Sequence, residues 1–264
     1  MRNRINLRAK EGIPILQVRQ LGKQFDLRIA RPMEVTPLLD VSFDIEQGRF
    51  LGIAGPSGVG KSTILKSIYR TYTPSSGSIV YQSELFGEID LAAASERTIT
   101  HLRKYEMGYV SQFLRVIPRV SATDVIAERL MSTGVEREEA RMAARQMLER
   151  LNIDKKLWEG FPATFSGGEQ QRINLGRAFI VRPRLMILDE PTASLDRRTT
   201  EAVIELLQDM KRQGTTMIGV FHDWEVMERL SDHILVMDGK GSGQVRDVLA
   251  ASASRKAEGG TVHV

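Results

Sequence analysis

Two stretches of the chain combine the residue types that bind phosphate and a divalent metal. The first follows a short apolar run, 50–54, and precedes a helical pattern from Ile64 to Tyr69. A glycine-rich turn between a strand and a helix lets backbone N–H groups form a nest for anionic oxygens, and the helix dipole adds to that field. A lysine and a hydroxyl at the end of such a turn can contact the terminal phosphates and Mg²⁺. The residues of this predicted phosphate-binding loop are Gly55, Pro56, Ser57, Gly58, Val59, Gly60, Lys61, Ser62 and Thr63.

The second stretch is an acidic pair that follows four apolar residues, Leu185 to Leu188. Asp189 therefore falls at the carboxyl end of a predicted buried strand, which is the edge of a parallel sheet where ligands bind. There Asp189 can hold Mg²⁺, and Glu190 can polarise an attacking water. An acidic pair alone is more often a solvated strand end, but together with the phosphate-binding loop it predicts a nucleoside triphosphate site.

The composition is that of a soluble globular protein, and we predict a cytoplasmic one. Hydrophobic residues make up 42% of the 264 residues and charged residues 27%, and no apolar run approaches the roughly 18 residues of a membrane span. Because the chain has no cysteine, disulfides, cysteine metal sites and thiol nucleophiles are excluded. The net charge of +4 lies partly near the N-terminus, and basic residues are not interleaved with aromatics, so we predict no nucleic-acid partner.

Strand patterns alternate with helical ones along most of the chain, which predicts an α/β fold with a mostly parallel sheet. Short strands are predicted at 15–18, 38–43 and 79–81, with Pro32 and Pro37 in the connection between the first two, and 82–104 is left unassigned. Apolar residues at helical spacing predict a helical insert between about 113 and 160. The predicted domains are an extension at 1–13, a catalytic domain at 14–241 that includes a helical subdomain at about 113–165, and a flexible tail at 242–264.

A second glycine-containing turn opens a helix further along the chain, at Ser166 to Gln170. Its two glycines expose N–H groups at a helix N-terminus, which is a second cradle for an anion. One chain already has a cradle in its phosphate-binding loop. The second is useful if it closes over the nucleotide of a neighbouring copy.

With these motifs in this order, residues 15–240 resemble the ATP-binding cassette (ABC) ATPases. The resemblance implies a P-loop NTPase fold with a helical subdomain and a small antiparallel β subdomain. It implies that Glu190 is the catalytic glutamate and that His222 and Gln112 contact the γ-phosphate, with Gln112 also near Mg²⁺. Ser62 and Asp189 would complete the metal site. The other nucleotide-binding residues it implies are Phe25, stacked on adenine, with Ser166, Gly167, Gly168 and Glu169 of the signature and Asp196 of the D-loop.

The reaction that this resemblance implies is MgATP hydrolysis in a head-to-tail homodimer. Lys61 and the catalytic residues of one copy would act with Ser166 and Gly168 of the other. A GTPase is disfavoured because no Asn-Lys-x-Asp motif is present, and a long coiled-coil ATPase because too few residues separate Lys61 from Asp189. A clamp that binds ATP without hydrolysing it is disfavoured by Glu190.

Residues 110–119 and 164–174 are similar to the L-type ATP-binding proteins of the bacterial phosphonate carbon–phosphorus lyase system. That similarity implies soluble lyase subunits and a second ABC protein as partners, in a pathway that converts methylphosphonate and ATP into a ribose 1-methylphosphonate 5-triphosphate. The alternative is an ATPase subunit of a membrane transporter for phosphonate import or lipoprotein-type export. Either partner would dock in the groove beside Gln112, which is expected to include Phe113, Leu114, Arg115 and Arg119.

Overall fold

The chain folds around two β-sheets, in a computed structural model that describes residues 14–28, 32–111 and 119–248. The strands are β1 (Pro14–Arg28), β2 (Pro32–Glu46), β3 (Phe50–Ala54), β4 (Ser76–Ser83), β5 (Gly87–Asp90), β6 (Met107–Val110), β7 (Leu185–Asp189), β8 (Thr216–Val220), β9 (His233–Met237) and β10 (Gly243–Asp247). The α-helices are α1 (Lys61–Ile68), α2 (Glu96–Tyr105), α3 (Ala122–Met131), α4 (Arg137–Arg150), α5 (Gly167–Phe179), α6 (Arg197–Arg212) and α7 (Trp224–Leu230), and two 3₁₀-helices cover Lys155–Leu157 and Pro162–Thr164.

The core sheet has six strands in the order β10-β9-β3-β8-β7-β6. All neighbouring pairs from β9 to β6 are parallel, and only β10 joins antiparallel at the edge. Every residue of β3, β7 and β8 is buried, as expected for central strands that helices cover on both faces. The predicted mostly parallel α/β sheet is confirmed.

The second sheet is antiparallel, with the order β2-β1-β4-β5. β1 and β2 have 15 residues each and are much longer than the predicted strands. Pro32 begins β2 and Pro37 lies inside it, where the pairing register with β1 shifts between Lys23 and Phe25. A proline has no N–H to donate, so it fits a strand at such an irregularity. The prediction that Pro32 and Pro37 lie in a connection between two strands is wrong, because both belong to β2.

Two elements lie in the segment that the sequence analysis left unassigned, β5 and α2. The side chain of Ser95 accepts a hydrogen bond from the Thr98 N–H and caps α2, whose buried residues are Ile99 and Leu102. A serine cap followed by apolar residues three apart is a local helix signal, but the helix is short and mostly polar. None of the described helices is both long and apolar enough to cross a bilayer.

The predicted helical subdomain, at about 113–165, contains α3, α4 and the two 3₁₀-helices, while 112–118 lie outside the described residues. The predicted tail begins too early, because β10 pairs with β9 along its whole length. The turn before β10 is held by Asp238, whose carboxylate accepts hydrogen bonds from the N–H groups of Lys240 and Ser242. The extension 1–13 and residues 249–264 are also outside the described part of the chain.

A buried glutamate joins the antiparallel sheet to the core sheet. Glu106, just before β6, is 2% exposed. Its carboxylate accepts hydrogen bonds from the Tyr81 hydroxyl at 2.9 Å, the Ser83 hydroxyl at 2.8 Å and the Leu85 N–H at 2.9 Å. Because a buried charge is tolerated only when it is well hydrogen-bonded, these donors hold the β4–β5 turn against the start of β6.

Replacing this glutamate is expected to destabilise the fold. Glu106→Ala leaves buried donors without an acceptor and should lower the free energy of unfolding by about 3 kcal/mol. Urea denaturation followed by circular dichroism measures this change. The matched control is Glu88→Ala on β5, since Glu88 is exposed and its carboxylate accepts from the Gln82 side chain. An equal effect of the two substitutions would show that Glu106 does not join the sheets.

Candidate active site

Three adjacent strands bring the predicted catalytic motifs to one edge of the core sheet. β8 lies between β3 and β7, and all three are parallel. The phosphate-binding loop follows β3, His222 follows β8, and Asp189 ends β7. Since the carboxyl ends of parallel strands meet at one edge, motifs far apart in the sequence become neighbours. β6, the next strand beyond β7, ends just before Ser111.

Glycines determine the shape of the phosphate-binding loop. Gly58 has a φ of 78°, and a Cβ built there would have no atom within 4 Å. Gly60 has a φ of 100°, and its Cβ would come within 2.7 Å of the Pro37 carbonyl oxygen. Both conformations are unfavourable for residues with a side chain. The loop therefore leaves an open concave backbone in front of α1, which fits a phosphate group.

The lysine of the loop is buried and points at backbone oxygens. Lys61 Nζ donates to the carbonyl of Gly55 at 2.6 Å and to that of Pro56 at 3.1 Å. Burial lowers the pKa of Lys61, and the nearby Glu190 carboxylate opposes that shift. A buried ammonium whose partners among the described residues are neutral carbonyls is well suited to take an anionic phosphate oxygen as a stronger partner.

The hydroxyl next to that lysine reaches the predicted metal ligand of β7. Ser62 Oγ donates to Asp189 Oδ1 at 2.8 Å, and the Asp189 residue is 7% exposed. A hydroxyl and a carboxylate are oxygen ligands of the kind that Mg²⁺ prefers. Their contact beside the loop is the arrangement expected for a cation that also binds the phosphates, so these residues fit Mg²⁺.

Glu190, the predicted catalytic glutamate, contacts His222, the histidine predicted to contact the γ-phosphate. His222 Nε2 lies 2.8 Å from Glu190 Oε2, and the Glu190 side chain is 20% exposed. Glu190 has a φ of 53° and donates its N–H to the Val220 carbonyl oxygen at 3.1 Å. A non-glycine residue in this region is uncommon and often marks a functional position. In this conformation the Glu190 carboxylate lies next to His222.

Hydrogen bonds between Ser166 and Glu169 stabilise the second anion cradle. Ser166 caps α5, where its hydroxyl accepts from the Glu169 N–H at 3.4 Å and the Glu169 carboxylate accepts from the Ser166 N–H at 2.8 Å. Hydrogen bonds that the Glu169 carboxylate accepts from the Ser166 N–H and the Ser166 hydroxyl lower the pKa of Glu169. Ser166 and Gly167 are exposed, and a Cβ on Gly167 would have no atom within 4 Å. The reciprocal cap fixes the first turn of α5 and leaves its N-terminus open.

Comparison with known proteins agrees with this geometry. A family model described as "ABC transporter" matches residues 38–193, which is more than half of the chain. The chain belongs to the ABC transporter family. The Bordetella pertussis "Lipoprotein-releasing system ATP-binding protein LolD" is 36% identical over 228 residues, which cover 86% of this chain and 95% of that protein.

Two solved structures with the same fold are dimers of an ABC cassette. The ATP-binding cassette MJ0796, in a dimeric post-hydrolysis state bound to ADP and Pi, is 26% identical with a TM-score of 0.79. A second dimeric structure of MJ0796, described as a bacterial ABC transporter cassette, has a TM-score of 0.80 at the same identity. Each comparison covers 88% of this chain and 98% of the other. The predicted fold and enzyme class, an ABC ATPase, are confirmed.

The structure does not bring every predicted site residue to the phosphate-binding loop. Phe25 packs edge to face on Tyr72 with ring centroids 5.1 Å apart, and Lys23 lies over its ring. Tyr72 follows α1 in the chain, and its N–H donates to the Lys66 carbonyl oxygen at 3.1 Å. The adenine contact of Phe25 stays a prediction. Gln112 lies outside the described residues, as do Phe113, Leu114 and Arg115.

The D-loop of this ABC cassette lies beside its own signature. Asp196 caps α6 by accepting from the Thr199 N–H at 2.9 Å, and this bond lowers the pKa of Asp196. A Cβ on Gly168 would lie 3.1 Å from the Ser194 carbonyl oxygen. The signature and the D-loop therefore form one surface, to which the described residues of the phosphate-binding loop make no hydrogen bond.

Three polar residues near the site were missed by the sequence analysis. Gln171 and Asn174 of α5 donate to the Ser111 carbonyl oxygen at 3.4 and 2.8 Å. They tie the signature helix to the residue that precedes Gln112. Tyr109 donates to Asp189 Oδ2 at 2.8 Å. Burial and the Asp189 charge raise the pKa of Tyr109, so its hydroxyl stays protonated. The available signal was a tyrosine in the strand just before Gln112.

Proposed function

We propose that the chain hydrolyses MgATP at two composite sites in a head-to-tail homodimer. The observation that supports this proposal is the separation of two anion cradles on one chain. Lys61, Asp189 and Glu190 meet at the edge of the core sheet, whereas Ser166 lies exposed at the start of α5 and Gly168 lies beside the D-loop. The dimeric form of the structural relatives supports the same arrangement.

Each side chain has a task that its position suits. The loop N–H groups and Lys61 bind the phosphates, while Ser62 and Asp189 hold the cation. Bound Mg²⁺ would neutralise charge on the β- and γ-phosphate oxygens. Glu190 accepts the proton of the attacking water, and His222 orients Glu190 and contacts the γ-phosphate. Catalysis then rests on positioning and charge stabilisation, and closure of the dimer is the mechanical output.

Replacement of His222 should slow ATP hydrolysis without weakening nucleotide binding. His222→Ala removes the group 2.8 Å from Glu190, and we expect turnover to fall by about a hundredfold, the lower range for a positioned acid–base group. Phosphate release measures turnover, and a fluorescent ATP analogue measures affinity. The matched control is His101→Ala, since His101 is exposed on α2. Full activity of His222→Ala would remove His222 from the proposed site.

For the partner, the comparisons favour an ATPase subunit of a membrane transporter. The LolD relatives are named as part of a lipoprotein-releasing system, and their match spans 86% of this chain. We propose that the chain drives a membrane partner in lipoprotein-type export. A pocket of about 160 Å³ between β6, α3 and α5 is lined by Arg129 and Arg177, which suits an acidic partner side chain. Asn174, also in its lining, reaches Ser111 beside the predicted docking groove.

A second candidate is the phosphonate carbon–phosphorus lyase system, and one observation favours it. Residues 110–119 and 164–174 are similar to its L-type ATP-binding protein. In this case the partners are soluble lyase subunits and a second ABC protein. Of the predicted docking residues, Arg119 is described and is exposed, with a φ of 60°, so its side chain is accessible to either partner.

Affinity capture distinguishes the two candidates. Tagged Glu190→Gln protein, which should hold the ATP-bound dimer, is recovered from cells that use methylphosphonate as their only phosphorus source. Polytopic membrane proteins in the detergent-solubilised fraction would support the transporter subunit. Large soluble lyase subunits would support the lyase instead and contradict the export proposal. Arg119→Glu is compared in parallel, with Arg198→Glu, an exposed position on α6, as the control.

A further inference from the structure

We propose that Tyr109 is a positioning residue that fixes the orientation of the Asp189 carboxylate for the cation. This inference rests on the proposed MgATP site. Tyr109 Oη donates to Asp189 Oδ2 at 2.8 Å. The tyrosine is thus one hydrogen bond from the predicted metal ligand, although it belongs to none of the motifs that predict the site.

The two oxygens of Asp189 have different partners. Oδ1 accepts from Ser62 at 2.8 Å, and Oδ2 accepts from Tyr109 at the same distance. Two donors on opposite oxygens prevent the carboxylate from rotating about its last bond. Hydrogen bonds to a charged group are stronger than those between neutral groups. If Ser62 were to ligate a bound cation, the hydrogen bond from Tyr109 would still hold Asp189 Oδ2.

The position of the hydroxyl is set by the strand register. Tyr109 of β6 pairs with Ile187 of β7, two residues before Asp189. In a strand, residues two apart lie on the same face. The Tyr109 side chain therefore extends along the face that carries Asp189, and the length of the phenol ring brings its hydroxyl to the carboxylate.

Packing holds the Tyr109 ring in place from its other side. The ring lies against Tyr69 with centroids 4.9 Å apart and an angle of 35°. The Arg103 guanidinium lies 4.6 Å above the Tyr69 ring and donates to the Tyr69 carbonyl oxygen at 3.0 and 2.8 Å. Arg103, Tyr69 and Tyr109 thus form a continuous support between α2 and Asp189. A ring held in this way delivers its hydroxyl at little entropic cost.

The test separates the effect of the Tyr109 hydroxyl from the effect of its ring. Tyr109→Phe keeps the packing on Tyr69 and removes the donor. A fluorescent ATP analogue is bound first in EDTA and then at rising Mg²⁺. We expect the affinity in EDTA to stay within about twofold of the unmodified protein and the half-saturating Mg²⁺ concentration to rise about tenfold, as for loss of a hydrogen bond to a charged group.

The matched control is Tyr69→Phe, which removes a hydroxyl from the stacked ring that does not donate to Asp189. Its Mg²⁺ midpoint should equal that of the unmodified protein. The inference is overturned if Tyr109→Phe leaves the Mg²⁺ midpoint unchanged, or if Tyr69→Phe shifts it equally.

Two further outcomes distinguish failure of this inference from failure of the proposed metal site. Loss of affinity in EDTA together with a lower melting temperature would show a purely structural role for Tyr109 and would overturn the inference. Mg²⁺-independent ATP binding and turnover by the unmodified protein would overturn the proposed metal site itself, and this inference with it.

Discussion

Glu190→Gln is expected to lower ATP turnover by at least about a hundredfold while ATP still binds, since a positioned general base contributes on this scale. The substitution keeps the shape of the side chain but removes the group that accepts a proton from the attacking water. Steady-state phosphate release measures turnover, and equilibrium binding of a fluorescent ATP analogue measures affinity.

The matched control for this effect is Glu205→Gln. Glu205 is exposed on α6, so the same loss of one charge should leave turnover within about twofold, as is usual for surface substitutions. Turnover by Glu190→Gln near that of the unmodified protein would contradict the catalytic assignment and support an ATP-dependent clamp.

Gly168→Asp is expected to slow hydrolysis strongly, because Gly168 belongs to the copy that completes the composite site. A carboxylate at the open N-terminus of α5 would occupy the second anion cradle and repel the γ-phosphate. Its Cβ would also lie 3.1 Å from the Ser194 carbonyl oxygen. We expect a loss of at least about a hundredfold in turnover, comparable to removal of a preorganised anion-binding group, with ATP affinity of the single chain unchanged.

The control for Gly168→Asp adds the same charge elsewhere. Gly239 is exposed, and a Cβ there would have no atom within 4 Å, so Gly239→Asp should retain activity. Size-exclusion chromatography with ATP is run beside the assay of phosphate release. A fully active Gly168→Asp variant would show that the α5 N-terminus does not bind the nucleotide of a second copy.

The parts of the site that the sequence predicts are those with local causes. The phosphate-binding loop depends on glycines that act within a few residues, and the predicted helix start at Ser166 is stabilised by Glu169 three residues later. The apolar run before Asp189 identifies a buried strand without knowledge of its neighbours. These features need no information about the rest of the fold.

The parts that the sequence did not predict depend on contacts between distant segments. Tyr109 and Asp189 are 80 residues apart, and only the register of β6 and β7 makes them neighbours. Glu106 resembles an ordinary polar residue at a helix end until β4 brings Tyr81 to it. β10 lies in the segment predicted to be a flexible tail, and its structure depends on its pairing with β9.

The most direct test of the account is the mass of the Glu190→Gln protein in solution, measured by multi-angle light scattering with MgATP, with MgADP and without nucleotide. The account predicts a dimer with MgATP and monomers in the other two conditions, and the double variant Glu190→Gln, Gly168→Asp should stay monomeric with MgATP. A Glu190→Gln protein that binds MgATP but remains monomeric would contradict the composite site.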